Sequence, residues 1–202
     1  MTELLAEKGY DMIGVDLSAD MLEIAMDKRS RKGLDILYLQ QDMREFEPGE
    51  KVSAVVSACD SINYILEPED LQAVFFCVSE CLKAGGIFIF DINTPYKYEV
   101  LMADNTIAEN RDEGSFIWDN YYDADEKINE YDLTLFIKEQ SEDEDDIYKK
   151  FEETHFQRCY EISELKELLE QSGLVFDAVY DAYTDDQVKC DSEKVTVIAH
   201  KG

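Results

Sequence analysis

The chain has 202 residues, which is enough for one domain with a sizeable hydrophobic core. Its 45% hydrophobic and 33% charged residues are typical of a globular protein. The formal net charge is -28, and the 19 Lys and Arg residues are scattered among 47 acidic ones. Such a chain would repel nucleic acid and anionic membranes, so neither is expected as a partner.

Neither a signal peptide nor a membrane span is expected. The apolar runs are far shorter than a span requires, and the segment MTELLAEKGYD has neither a basic leader nor an apolar block. The cysteines are odd in number and form no CxxC motif, so we expect free thiols in a reducing cytoplasm and no metal site. They are Cys59, Cys77, Cys81, Cys159 and Cys190.

In chain order, helix-like stretches that end at a glycine alternate with β-branched or aromatic runs. The glycines in question are Gly9, Gly33, Gly85 and Gly173. This alternation predicts βα units on a mostly parallel sheet, within a single domain over residues 1–202. The parallel strands are expected at residues 12–17, 36–39, 52–57 and 87–92.

Residues 115–158 break the alternation. The segments SFIWDNYY, KINEYDLTLFIK and IYKKFEETHFQR have the pattern of strands joined by turns, one of which is the acidic SEDEDD. An antiparallel β insertion is therefore expected here.

The last two expected strands, at residues 175–183 and 194–200, are separated by only a polar turn, TDDQVKCDSE. Parallel neighbours need a crossover of about a dozen residues or more, generally helical. The short connection therefore predicts that the terminal strands are antiparallel.

Asp16 ends the apolar run MIGVDL and precedes Ser18, a good helix N-cap. In open α/β sheets ligands lie beyond the carboxyl ends of the strands. A carboxylate at this place can accept hydrogen bonds from both hydroxyls of a ribose. A second helix cap is the alternative interpretation, although Ser18 already supplies one.

Asp42 follows the next apolar run, DILYL, within the segment QQDM. Its carboxylate can accept a hydrogen bond from an adenine amino group. Met21 and Met43 offer soft apolar contacts to the ring, although either methionine taken alone is better explained as core.

Polar residues also follow the next two expected strands. The segment SACDSINY comes directly after the apolar VSAVV, where the mouth of a ligand cleft is expected. Capping of the following turn by Asp60 and Ser61 is the alternative. The next run, GIFIFDINTP, ends in a second polar set: Asp91, Asn93, Thr94 and Pro95.

These segments together resemble the class I S-adenosylmethionine-dependent methyltransferases of the small-molecule type. The resemblance rests on GVDLSADML, LYLQQDM, SACDSINYI and GGIFIFDINTP, with the terminal antiparallel strand in support. It implies an α/β fold with a Rossmann-like, mostly parallel sheet. It also implies S-adenosylmethionine as the cofactor, bound by Asp16, Leu17, Met21, Asp42, Met43, Cys59 and Asp60.

By the same resemblance, the antiparallel insertion at 115–158 covers a small-molecule acceptor, and aromatic side chains there suit an apolar or cationic one. The residues implied are Asn63, Tyr64, Asn93, Trp118, Tyr122, His155 and Arg158. A base is needed only if the acceptor must lose a proton, so the catalytic residue is unknown. His155 and Tyr64 are candidates, with a structural role as the alternative for His155.

One motif of the family has no counterpart. The glycine-rich loop, of the form G-x-G-x-G, is absent, because the nine glycines show no G-x-G spacing. We therefore expect a truncated form that lacks the family's first strand and its loop, with compensation for the gap by other residues as the alternative. Loss of that central strand would leave two inner edges unpaired. The isolated chain is expected to be unstable and to bind cofactor weakly, with activity requiring the missing segment.

Two other function classes stay open at this point. A non-catalytic fragment or binding module is supported by the missing loop. A nicotinamide-dependent oxidoreductase would also use an acid such as Asp16, but the terminal strand pair and the QDM segment argue against it. The sequence identifies neither the acceptor nor the methylated atom, and it leaves open whether the chain forms a homo-oligomer.

Overall fold

The fold is that of a computed structural model, which describes residues 1–139 and 147–202. The acidic turn SEDEDD expected at 141–146 lies outside the described residues. The helices are α1 (Thr2–Glu7), α2 (Ala19–Lys32), α3 (Pro68–Cys81) and α4 (Ile162–Gln171). The strands are β1 (Met12–Asp16), β2 (Ile36–Gln40), β3 (Val52–Ser57), β4 (Leu82–Asn93), β5 (Thr106–Arg111), β6 (Gly114–Asp123), β7 (Ile128–Lys138), β8 (Tyr148–Arg158), β9 (Leu174–Asp181) and β10 (Lys194–Lys201). A 3-10 helix (Ser61–Tyr64) and a π-helix (Lys97–Met102) follow β3 and β4.

Parallel strand pairs form where the sequence predicts them. β1 pairs in parallel with β2, with Asp16 opposite Gln40 at the carboxyl ends. β3 pairs in parallel with β4. Between β1 and β2, helix α2 begins at the N-cap Ser18, whose Oγ accepts from the Met21 N–H, and ends at Gly33 with a left-handed φ of 63°. The expected βα alternation is thus confirmed, although α3 ends at Cys81 and β4 begins at Leu82, so that Gly85 lies inside the strand and does not end the helix.

The terminal strands are antiparallel, as predicted. β10 runs antiparallel to β4 on one side and to β9 on the other, giving the order β3-β4-β10-β9. Alternate residues of β10 are buried, namely Val195, Val197 and Ala199. This period of two places one face of the strand in the core.

The middle of the chain forms a separate antiparallel sheet in the order β5-β6-β7-β8. The sheet begins at Thr106, earlier than the boundary expected at residue 115, because β5 pairs along its whole length with β6. Every residue of β5 is exposed. A strand without a buried face lacks the alternation of apolar and polar residues that would reveal it in a sequence.

The main core lies between α3, α4 and the sheet that contains β4 and β10. At its centre the rings of Phe75, Phe88 and Phe90 contact one another, with centroid distances of 5.9, 5.5 and 4.7 Å. Aromatic pairs at such separations add favourable ring–ring interactions to the area they bury.

β1 and β3 each lie at an edge of their sheets, and in residues 1–139 and 147–202 no ladder joins them. The α/β fold with a mostly parallel sheet is confirmed, and the missing strand between these two edges stays a prediction. No helix in the described parts of the chain is long and apolar enough to cross a membrane.

Adjacent phenylalanines on α3 provide a matched test of the core. Phe75 is fully buried, whereas Phe76 is 58% exposed. We expect Phe75→Ala to lower the free energy of unfolding by about 3–5 kcal/mol, because it opens a cavity. Phe76→Ala should change it by about 0.5 kcal/mol or less. Urea denaturation of both variants measures the difference, and equal losses would contradict the position given to the core.

Candidate active site

The carboxyl end of β1 presents an acidic side chain to solvent. Asp16 is exposed, and its Oδ1 accepts a hydrogen bond from the Ser18 N–H at 2.9 Å. The Asp16 carbonyl accepts from the Gln41 N–H at 3.1 Å, which ties the loop after β2 to the end of β1. Leu17 and Met21 are 66% and 56% exposed beside it. A carboxylate flanked by exposed apolar side chains suits a ligand that carries hydroxyl groups as well as an apolar ring.

Asp42, after β2, is already engaged by an arginine. Its Oδ1 accepts from the Arg44 Nε at 3.0 Å and its Oδ2 from Nη2 at 2.7 Å. These hydrogen bonds hold the pKa of Asp42 below its usual value. Arg44 also pairs with Asp70 at 2.8 Å. Met43 packs against the main core, so its apolar contacts are largely with the protein itself.

The turn after β3 has an unusual backbone. Cys59 and Asp60 have φ values of 63° and 53°, a left-handed conformation that is costly for residues other than glycine. The Asp91 carboxylate, only 2% exposed, accepts from the Cys59 N–H at 3.0 Å and from the Asp60 N–H at 2.6 Å. The Tyr183 hydroxyl donates to the same carboxylate. The Asp91 carboxylate is thus directed at the backbone of the turn.

The Asp60 side chain lies in a polar network. It accepts from Lys194 Nζ at 2.7 Å and from the amides of Asn93 and Gln157 at 3.2 Å each. Burial would raise the pKa of Asp60, but the hydrogen bonds from Lys194, Gln157 and Asn93 outweigh it, so the pKa lies below its usual value. Asp60 is therefore a charged and firmly oriented group.

Two asparagines bind the 3-10 helix to its surroundings. The Asn93 N–H donates to the Asn63 Oδ1 at 3.0 Å, and the Asn63 Nδ2 donates to the Arg158 carbonyl at 2.8 Å. Both asparagines are fully buried, at 0 and 1% exposure. The segment that carries Tyr64 is thus held between β4 and β8.

Behind these asparagines the network continues into the π-helix. The Asn93 Nδ2 donates to the Tyr98 hydroxyl at 3.0 Å, and that hydroxyl donates to the Gln157 Oε1 at 3.0 Å. Lys97 Nζ donates to the Asn93 Oδ1 at 2.9 Å, and burial lowers the pKa of Lys97. Tyr122 stacks on Tyr98 with centroids 5.7 Å apart. Each contact satisfies a polar group that would be costly to bury alone.

An aromatic cluster brings Tyr64 and His155 together. The Tyr64 hydroxyl lies 2.6 Å from the Tyr131 hydroxyl and 3.3 Å from His155 Nδ1. The rings of Tyr131 and His155 stack at 4.7 Å, and Trp118 lies 4.6 Å from Tyr131. The structure therefore unites three of the residues expected to surround the acceptor, and adds Tyr131 to them.

Arg158 is not part of this cluster. Its guanidinium pairs with Glu164 at 3.7 Å and lies 5.4 Å above the Tyr160 ring. Arg158 lies three positions after His155 on β8, which places the two side chains on opposite faces of the strand. Thr94 is likewise directed elsewhere, because its hydroxyl donates to the Ser192 carbonyl at 2.6 Å.

Several residues of the network were not among those expected for the site. Gln157 lies two positions after His155 on β8, so the strand alternation places both on one face. That argument was open to sequence reasoning. Lys194 and Tyr183 are different, because they contact Asp60 and Asp91 across sequence separations of 134 and 92 residues. Only the antiparallel return of β10 brings them there.

Known proteins resemble this chain over most of its length. The profile of the family described as "Methyltransferase domain" matches residues 1–86. The solved structure of an S-adenosylmethionine-dependent methyltransferase from Clostridium acetobutylicum ATCC 824 superposes with a TM-score of 0.91 at 30% identity, covering 100% of this chain and 79% of that one. The Bacillus subtilis (strain 168) protein named "Putative methyltransferase YqeM" is 35% identical over 198 residues, which are 98% of this chain and 78% of that protein.

The chain belongs to the S-adenosylmethionine-dependent methyltransferases. The enzyme class, the cofactor and the Rossmann-like fold implied by the sequence are thereby confirmed. A more distant methyltransferase, the dTDP-3-amino-3,4,6-trideoxy-alpha-D-glucopyranose N,N-dimethyltransferase of Streptomyces venezuelae, is 36% identical over 99 residues, which are 48% of this chain and 38% of that enzyme.

Mutation of Asp91 tests whether its carboxylate holds the turn after β3 in this methyltransferase. In Asp91→Asn one backbone N–H faces an amide group that cannot accept from it, so we expect a loss of about 1–3 kcal/mol in stability. Amide hydrogen exchange at Cys59 and Asp60 should become faster. Tyr183→Phe is the control, because it leaves both N–H bonds to Asp91 in place. Unchanged exchange at these two amides in Asp91→Asn would contradict the assignment.

The Lys194–Asp60 pair predicts a pH dependence of stability. The pKa of folded Asp60 lies below its ordinary value, so the pair stabilises the fold above that value, about pH 4, and the contribution is lost as the pH falls through the lowered pKa. The difference in unfolding free energy between the parent and Lys194→Met should therefore be largest near neutral pH and shrink below about pH 4. Lys189→Met, which removes a 60% exposed side chain, is the control. A difference that stays constant down to about pH 2 would contradict the prediction.

Proposed function

We propose that this methyltransferase transfers the methyl group of S-adenosylmethionine to a small-molecule acceptor bound between residues 59–64 and the sheet β5-β6-β7-β8. The observation that carries this proposal is the meeting of Tyr64, at the carboxyl end of β3, with His155 on β8, at 3.3 Å. Ligands of open α/β sheets lie beyond the carboxyl ends of strands. The antiparallel sheet, which includes the expected insertion at 115–158, is therefore positioned to cover the acceptor.

The cofactor side of the proposed site fits the chemistry of S-adenosylmethionine. Asp16 and Asp42 follow the adjacent parallel strands β1 and β2, and carboxylates there suit the ribose hydroxyls and the adenine amino group. When bound, the cofactor supplies an electrophilic methyl group on a sulfonium sulfur. We assign its binding to Asp16, Leu17, Met21, Asp42, Met43, Cys59 and Asp60, whose task is to hold and orient it.

The acceptor side is aromatic and polar. We assign it to Tyr64, Trp118, Tyr122 and His155, with the buried Asn63 and Asn93 as supports. Arg158 is left out of this assignment because it lies away from the aromatic cluster. Stacked aromatic rings favour an apolar or cationic small molecule, and the net charge of -28 disfavours nucleic acid. The Streptomyces venezuelae relative is named for an amino-sugar nucleotide, which is consistent with a small-molecule acceptor.

We also propose that activity requires a further strand beside β1 and β3, followed by a loop that approaches the cofactor. Both strands lie at sheet edges, and their side chains Val15 and Val56 are 37% and 43% exposed. Apolar residues of a central parallel strand are normally covered on both faces. Membership of the methyltransferase family disfavours the alternative of a non-catalytic binding module.

Cofactor affinity tests the two carboxylates. Asp16→Ala and Asp42→Ala each remove a charged acceptor, so we expect binding of S-adenosylmethionine to weaken by about 1.5–3 kcal/mol, roughly tenfold to a hundredfold. Asp27→Ala, at a 69% exposed acid of α2, controls for the change in charge.

Calorimetry would be run on the 202-residue chain and on a form extended upstream in its native reading frame. We expect the extended form to bind more tightly and to unfold at a higher temperature. Equal affinity in the parent and both aspartate variants would refute the assigned cofactor site. Micromolar binding by a monomeric 202-residue chain would refute the need for a further strand.

A further inference from the structure

Four polar groups in the aromatic cluster form one continuous hydrogen-bonded chain. The Tyr131 hydroxyl lies 2.6 Å from the Tyr64 hydroxyl, which lies 3.3 Å from His155 Nδ1. On its other side, His155 Nε2 lies 3.1 Å from the Glu153 Oε2. The chain therefore connects a buried phenol to a carboxylate whose side chain is 54% exposed.

The Glu153 carboxylate at one end determines the direction of every hydrogen bond in this series. An ionised carboxylate can only accept, so the hydrogen of a neutral His155 must be on Nε2. Nδ1 is then an acceptor, to which the Tyr64 hydroxyl donates. The Tyr64 oxygen in turn accepts from Tyr131, whose pKa is raised by burial and by the hydrogen bond with Tyr64, so that Tyr131 keeps its proton.

Packing holds these groups in place without enclosing them. The imidazole of His155 stacks on Tyr131 with an interplanar angle of 13°, and Trp118 packs against the same tyrosine. Tyr64 is the last residue of a 3-10 helix that Asn63 anchors to β4 and β8. The Tyr64 side chain is nevertheless 41% exposed, so a small molecule can reach its hydroxyl.

We propose that Tyr64 and His155 act as a proton relay, oriented by Glu153, that takes a proton from the acceptor during methyl transfer. This inference rests on the proposed function. Orientation of the imidazole by a carboxylate, with the opposite ring nitrogen free to accept, is the arrangement of a general base.

The proton balance of the step is complete. The acceptor gains a methyl group, the cofactor's sulfur keeps the electron pair of the broken C–S bond, and the acceptor gives its proton to the Tyr64 oxygen. Tyr64 passes its own proton to His155 Nδ1. The resulting imidazolium is stabilised by Glu153 and returns the proton to solvent after the product leaves.

A relay of this kind specifies the class of acceptor. It is useful for a hydroxyl or an amine that must lose a proton, and it offers nothing to a thioether, which carries none. The site therefore favours methylation of a small molecule that carries a hydroxyl or an amine over methylation of a thioether.

The two histidines of the chain allow a direct test of the relay without any cofactor. His200 Nδ1 lies 2.8 Å from the Asp177 carboxylate, so a neutral His200 should carry its hydrogen on Nδ1, opposite to His155. Imidazole 15N spectra of the full chain should therefore show one tautomer of each kind. Tyr64→Phe should shift the Nδ1 resonance of His155 and leave His200 unchanged. An Nδ1–H tautomer at His155, or no shift in Tyr64→Phe, would overturn the proposal.

Methyl transfer to three probes tests the role in catalysis. With the form extended upstream, saturating S-adenosylmethionine and phenol, benzylamine or thioanisole as acceptor, we expect transfer to phenol or benzylamine. His155→Phe, which keeps a stacking ring, should lower that rate about 100- to 1000-fold. His155→Gln is a second variant in case His155→Phe does not fold, and His200→Phe is the matched control. The dissociation constant of the cofactor should stay within about threefold, since a general base contributes to the rate rather than to cofactor binding.

These outcomes distinguish a failure of the relay from a failure of the proposed function. Transfer to thioanisole alone, transfer to none of the probes, or an equal fall in cofactor affinity and rate in His155→Phe would overturn the relay. Failure of the proposed cofactor site would instead appear in calorimetry as an absence of S-adenosylmethionine binding, while the tautomers of the two histidines stay as expected.

Discussion

The arrangement of the site depends on the buried Asp91 carboxylate and the two backbone N–H groups that it binds, at 3.0 and 2.6 Å. Cys59 and Asp60 both adopt a left-handed conformation, which non-glycine residues hold only when their surroundings compensate for the strain. The buried carboxylate in turn needs hydrogen-bond partners, because burial has removed its hydration. The two N–H groups satisfy the buried carboxylate, and the carboxylate holds the strained backbone of Cys59 and Asp60 in place. The turn after β3 therefore has a single defined shape.

From that turn, polar contacts extend in two directions. Asp60 reaches Lys194 on β10 and Gln157 on β8, while Asn63 reaches the carbonyl of Arg158. The loop beside the proposed cofactor site and the antiparallel sheet over the proposed acceptor site are thereby joined directly. Because the joining groups are buried or half-buried and mutually satisfied, a displacement of the sheet would have to break several hydrogen bonds together. We infer that the two halves of the site keep a fixed relative position.

Such rigidity matters for the chemistry of methyl transfer. The reaction needs the acceptor atom aligned with the methyl group, and orientation supplies much of the rate enhancement when little acid or base chemistry is required. A scaffold that fixes Tyr64 and His155 relative to the turn at Cys59 leaves only the acceptor itself to be oriented.

Local signals in the sequence determined much of this protein. The period of two in β10, the Ser18 cap and the ends of the parallel strands were all predictable, because each depends on residues close together in the chain. Asp16, Asp42 and the polar segment after β3 were proposed as site residues because ligand sites lie at strand ends. β5 was missed because all of its residues are exposed. The role of Asp91, the partners Lys194 and Tyr183, and the meeting of Tyr64 with His155 were decided only by tertiary structure. The contacts of Tyr64, Tyr183 and Lys194 join residues 91 to 134 positions apart, and Asp91 lies 32 and 31 positions from the amides that it binds. No local pattern encodes which distant strand returns beside a given turn.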